Sequence, residues 1–146
     1  MHSDKGQSQL TEFELNIYLK NNEKNSGLRT VKKMNKMLVN CEKLLALDMS
    51  DWDLSNLEDA TNMCMCTEGS ALIDLKLPAK YNFINLITAQ GMFMNCKNLK
   101  NFNSVWSFAN DKGVSLSQMF SGCTKLDLSF LQNWDMKNVS DISYMC

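Results

Sequence analysis

Apolar residues recur along this chain in steps of three, three, one and three around a series of methionines. The anchors Met37, Met63, Met92, Met119 and Met145 stand 26, 29, 27 and 26 residues apart, a period within the range of about 20–29 residues known for leucine-rich repeats. The first unit reads Val31, Met34, Met37, Leu38, Cys41, and the second Leu57, Ala60, Met63, Cys64, with Thr67 where a Cys is expected. The third reads Leu86, Ala89, Met92, Phe93, Cys96, the fourth keeps Leu116, Met119, Phe120, Cys123, and a fifth opens with Val139, Ile142, Met145, Cys146. Such steps put the side chains on one helical face. The pattern therefore predicts short helices ending near Cys41, Cys66, Cys96 and Cys123. A strand signal follows each of them. Leu44-Leu45-Ala46-Leu47-Asp48-Met49 and Leu72-Ile73-Asp74-Leu75-Lys76-Leu77 share one pattern, Leu99-Lys100-Asn101-Phe102 keeps its first half, and Leu126-Asp127-Leu128-Ser129-Phe130 alternates. Strands are expected near 44–49, 72–77, 99–103 and 126–131. Helix and strand alternating at one period predict an α/β fold, a short leucine-rich-repeat-like solenoid with a parallel sheet on one face and short helices on the other.

Capping signals fit the same scheme. Ser55-Asn56-Leu57-Glu58 and Thr11-Glu12-Phe13-Glu14 both have capping-box spacing, and Leu10 is placed to staple onto Leu15. Residues 11–24 read as an N-terminal helix stopped by Asn25-Ser26-Gly27, suited to cover the open end of a repeat core. The expected organisation is residues 1–27 as capping helix and flank, and residues 28–146 as four repeats plus the start of a fifth.

The run Cys41-x-x-Leu44-x-x-Leu47-Asp48-Met49-Ser50-x-Trp52-Asp53-Leu54-Ser55-Asn56-Leu57 resembles the BspA-like leucine-rich repeat family, the DUF285 repeat. Met119-Phe120-Ser121-Gly122-Cys123 and Trp134-Asp135-Met136-Lys137-Asn138-Val139 resemble it as closely. The resemblance covers residues 28–146 and implies a bacterial scaffold that binds proteins, not an activity. Departures are plain: the second unit lacks the Trp and the aligned Cys, the third has Trp106 without a following Asp, and the fourth inserts residues 130–133 before Trp134.

Charge changes this picture at one end only. The net charge of −1 gives no global attraction to nucleic acid or membrane, but residues 1–37 carry a net +3 and residues 38–146 a net −4. Arg29, Lys32, Lys33 and Lys36 are spaced to form a basic stripe on one helical face. Six cysteines and a single histidine, His2, lack the paired spacing of a structural zinc site; Cys41, Cys96 and Cys123 are expected as buried, reduced, unreactive thiols stacked at one repeat position. No metal, cofactor or catalytic residue is expected, since no phosphate-binding loop, nucleophile elbow or metalloprotease motif occurs. The methionines read as core. With no membrane span and no apolar leader, the chain is expected to be a cytoplasmic monomer, or part of a cell-surface protein if it is excised from a longer secreted one.

The sequence thus predicts a non-catalytic module that holds another protein or a protein–RNA complex, acting as an inhibitor or modulator that occupies the surface of its partner, with no small-molecule substrate. A fragment of a surface adhesin or colonisation factor is the alternative, and a nucleic-acid binder using the basic stripe the third. The expected contact surface comprises Arg29, Lys32, Lys33 and Lys36, the outward sheet positions Asp48, Asp74, Lys76, Asn101 and Asn103 beside Ala46, and three aromatic anchors, Tyr81, Phe83 and Trp106, which read equally as core residues.

Overall fold

The anchor methionines do not sit on helices. Each donates its N–H to the carbonyl three residues back: Met37 to Met34, Met63 to Ala60, Met92 to Ala89, Met119 to Leu116 and Met145 to Ile142, at 3.1–3.2 Å. The residue just before each anchor has a left-handed backbone, with φ of 58° at Lys36, 53° at Asn62, 61° at Gly91, 58° at Gln118 and 52° at Tyr144. A four-residue turn closed in this way with positive φ at its third position has the signature of type II. An L-residue in that conformation cannot continue a right-handed helix. The repeating step of three is therefore the period of consecutive tight turns, not of a helix face.

Amide groups that a helix would satisfy internally point sideways instead. In the computed structural model, which describes residues 26–39, 44–66 and 72–146, Met34 N–H donates to Asp59 O, Ala60 to Thr88, Ala89 to Ser115 and Leu116 to Asp141, at 2.8–2.9 Å. The left-handed residues repeat the pattern two positions on, Lys36 to Thr61, Asn62 to Gln90, Gly91 to Ser117 and Gln118 to Ser143. Each turn is thereby hydrogen-bonded in parallel to its counterpart in the next repeat.

Six short strands pair in parallel, two by two: β1 (Ala46–Asp48) with β2 (Asp74–Lys76), β3 (Lys80–Phe83) with β4 (Val105–Phe108), and β5 (Val114–Ser115) with β6 (Val139–Asp141). The only helical pieces among the described residues are two 3-10 segments, Ser26–Thr30 and Leu128–Asn133. This overturns the expected fold class. Among the described residues there is no helix layer and no helix-covered solenoid, and the strands form three separate pairs rather than one sheet. Strands arise where expected at β1 and β2. Residues 99–103 form none; the pairing occurs later, where Tyr81 and Phe83 of β3 stand opposite Trp106 and Phe108 of β4. At 126–131 the Asp127 carboxylate accepts the Ser129 N–H at 3.0 Å, a local bond that competes with strand pairing and opens the 3-10 segment. The Ser55–Glu58 box starts no helix either, because the Glu58 N–H goes to Lys32 O of the preceding repeat. The helix expected over 11–24 and Cys41 lie outside the described residues.

The core is one cluster running through all the described repeats, with Met63, Met92, Met119, Leu47, Ala60 and Ala89 essentially without exposure and Leu75 half-buried. Aromatic rings stack from repeat to repeat: Phe93 on Phe120 at 5.8 Å, Phe102 on Phe130 at 4.8 Å and Trp106 on Trp134 at 4.9 Å between centroids. Such contacts add stability beyond area burial. Ser104 keeps the indoles satisfied, its hydroxyl accepting from Trp106 Nε1 at 2.9 Å and its carbonyl from Trp134 Nε1 at 3.0 Å.

Candidate functional site

Parallel pairing of β1 with β2 sets Ala46 opposite Asp74, Leu47 opposite Leu75 and Asp48 opposite Lys76. Because side chains alternate across a strand, Leu47 enters the core while Ala46, Asp48, Asp74 and Lys76 turn the other way. Asn101 and Asn103, in the irregular segment before β4, line the same hollow. Together with Ile73 these residues border a shallow groove of about 300 Å³. The sequence-expected sheet positions are thus brought together on one surface, even though the third strand that was to carry the two asparagines is absent. Ile73 and, beside it, Leu45 are 42% and 56% exposed, and the Ile73 N–H donates to Leu45 O at 2.8 Å. The groove therefore has an apolar lip.

Its electrostatics are mixed. The Asp48 carboxylate accepts the hydroxyl and the amide of Ser50. That hydroxyl bond, ahead of the amide bond and the charge of Lys76, holds Asp48 below the usual carboxylate range against its partial burial. Asp48 is thereby engaged within its own turn, leaving Asp74 as the exposed acid of the hollow that Asn101 and Asn103 also line.

The basic residues are placed differently from expectation. Arg29 lies in the first 3-10 segment, Lys33 forms an isolated parallel bridge with Asp59, and Lys36 occupies a left-handed turn position. All four cations are exposed, but residues 31–37 are not helical, so they share no helix face. Arg29 also adds to the forces, led by the Ser55 hydroxyl, that hold the Asp53 carboxyl down.

None of the three expected aromatic anchors is a surface residue of that kind, and Phe83 is buried at 2% exposure. Trp106 has no exposure, consumed by the core stack. Tyr81 is half-buried and its hydroxyl donates to the carbonyls of Met49 and Trp52, both at 3.1 Å; burial pushes its pKa well up. It stands beside Trp106 in the strand register, filling the second repeat where a Trp was missed.

A further surface escaped the sequence reading. Ile84 and Ile87, each 53% exposed, border a second hollow of about 350 Å³ with Glu58, Asn85, Asn110, Lys112 and Gly113. The available signal was phase, since both isoleucines flank Leu86 at positions outside the repeat stripe. Among the described residues no helix is long and apolar enough to cross a membrane.

No curated protein and no solved structure matches this chain. The family described as Mycoplasma protein of unknown function, DUF285, matches residues 8–72 and again 71–146. The two matches together span nearly the whole chain, which belongs to the DUF285 family.

Proposed function

We propose that the protein is a non-catalytic, protein-binding module whose contact surface is the groove over β1 and β2. The recurring Met-Phe-x-x-Cys motif and the Trp-Asp-x-x-Asn motif followed by Leu57 or Val139 support placing its repeats with the BspA-like leucine-rich repeats, whose members act as binding scaffolds. The observation that carries the reading is the convergence of Asp74, Lys76, Asn101 and Asn103, free of core duty, around one hollow with Ile73 on its lip. An acid, a base and two amides in fixed order favour register and specificity over raw affinity, and the exposed isoleucine supplies desolvated area. That geometry supports modulation of a partner by occupation of its surface.

The test is quantitative binding of a partner captured by cross-linking through a photoreactive side chain at Asn103. Asp74→Lys combined with Asn101→Ala is expected to weaken that partner at least tenfold. Reversing Lys32, Lys33 and Lys36 to Glu together is expected to change the association rate and its salt dependence. Affinity untouched by the groove variant, in a protein with unchanged spectra and melting temperature, would move the interface elsewhere.

A further inference from the structure

Three thiols converge in a way the repeat period alone did not show. Counting from the anchor methionine, Cys96 and Cys123 come four residues later, and Thr67 occupies that place in the second repeat. The structure instead brings Cys66, one position earlier, against Cys96. Their sulfurs are 2.7 Å apart, nearer than stacked strands about 4.8 Å apart would set them and approaching the S–S bond length of about 2.05 Å. The backbone enforces the meeting, since the Cys66 N–H donates to Met94 O at 2.8 Å and the Asn95 N–H to Ser121 O at 2.7 Å, tying the three cysteine turns side by side. Cys123 lies on the other flank of Cys96, its thiol directed at Phe93 O at 3.0 Å.

We propose that Cys66, Cys96 and Cys123 form a redox modification site, at which a hydroperoxide closes a disulfide through Cys96 between adjacent repeats. The three thiols divide the work. Contact with Cys96 lowers the Cys123 thiol from its ordinary range, while contact with both neighbours and burial raise that of Cys96. The Cys123 thiolate attacks the terminal oxygen of the hydroperoxide; the O–O bond breaks, the leaving alkoxide or hydroxide takes a proton, and Cys123 becomes a sulfenic acid. The Cys96 sulfur then attacks the sulfenic sulfur. The S–O bond breaks, the departing hydroxide takes the Cys96 proton and leaves as water, and the Cys96–Cys123 disulfide forms. Two thiols lose two electrons, and the peroxide is reduced to water and an alcohol or a second water. Attack of Cys66 on the Cys96 sulfur of that disulfide moves the bond to the 2.7 Å pair, and the Cys66 proton passes to the departing Cys123 sulfur, which returns as a thiol. Exposures of 5% at Cys66 and 8% at Cys123 suit an oxidant the size of hydrogen peroxide rather than a protein disulfide.

Hydrogen peroxide itself is the probe, and the exposed Cys146 serves as an internal gauge of oxidant exposure through trapping of its sulfenic acid by dimedone. Peptide mapping of the folded wild-type protein is expected to show an intramolecular disulfide containing Cys96, with a loss of two hydrogens, a raised melting temperature and full reversal by dithiothreitol. Cys123→Ser is expected to slow formation at least tenfold, and Cys66→Ser to confine the bond to Cys96 and Cys123. Thiols persisting at all three positions after Cys146 has been fully converted would overturn the proposal. So would a disulfide that forms at the wild-type rate in the Cys123→Ser protein.

Discussion

Left-handed backbone just before each anchor methionine is a demand placed on five different residues, and of these only Gly91 meets it without steric cost. A Cβ at Gly91 would collide with the Asn62 side-chain oxygen of the preceding turn, in addition to the positive φ. Gly91→Ala is therefore expected to lose about 1–3 kcal/mol of stability, measured by urea denaturation. Gln118, with φ of 58°, bears the opposite strain, so Gln118→Gly is expected to be neutral or to gain up to about 1 kcal/mol. A second residue-scale device is the aspartate that accepts the N–H two positions on: Asp48 to Ser50, Asp53 to Ser55, Asp127 to Ser129 and Asp141 to Ser143, at 2.9–3.0 Å. Hydrogen bonds to the serine hydroxyl and amide, the hydroxyl leading at Asp48 and Asp53 and the amide at Asp127 and Asp141, hold all four carboxyls below their ordinary range. A depressed folded-state pKa contributes stability that is complete above the unfolded value, about 3.9, and is lost as pH falls through the folded one. Urea midpoints are expected to be flat from pH 7 to about 5 and to drop below about 4. Asn at all four positions, which keeps the accepting oxygen but has no charge to lose, should flatten that drop.

At the scale of elements, what the sequence made legible was which residues are buried and which repeat, not how the backbone achieves it. Apolar steps of three correctly placed Met63, Met92 and Met119 in the core, because side chains three apart share a face both in a helix and in a chain of three-residue turns. Deciding between those two required the residue before each anchor to be recognised as left-handed. Lys36, Gln118 and Tyr144 carry no such signal, and only Asn62 and Gly91 belong to the types that favour it. The alternation at 126–130 misled for a different reason, since Asp127 closes its own local turn. The groove was legible because outward strand positions need only the alternation, whereas Tyr81 and Trp106 were not, because an aromatic between repeats reads equally as anchor or as core. Tyr81 makes the difference measurable. Tyr81→Phe removes two hydrogen bonds that tie the second repeat to the carbonyls of Met49 and Trp52 and leaves both oxygens to find other partners. It is expected to cost about 1–3 kcal/mol without weakening partner binding. A loss of affinity larger than the loss of stability explains would return Tyr81 to the interface.

Across the described residues each repeat leans on the next through its backbone, and from residue 81 onward through stacked rings as well, so the unit of unfolding should be larger than one repeat. The third repeat lies in the middle of this arrangement: Ala60 and Asn62 donate to Thr88 and Gln90 on one side, while Ala89 and Gly91 donate to Ser115 and Ser117 on the other. Met92, 1% exposed between them, has no surface to relax into. Its truncation to Ala is expected to cost about 2–5 kcal/mol, and Met92→Asp, which buries an unpaired charge, to prevent folding. The informative measurement is where the loss is felt. Trp52 and Trp134 are both buried, at 5% and 6% exposure, in repeats on opposite sides of Met92. Two reporter proteins, each keeping one of these tryptophans and carrying Phe at the other two positions, report the flanks separately by fluorescence. If the backbone ladder and the ring stacks couple the repeats, Met92→Ala shifts the urea midpoint of both reporters by the same amount, and each keeps a single transition. A shift confined to one reporter, or two separate transitions in one protein, would mean that the strand pairs unfold independently and that stacking contributes little between them.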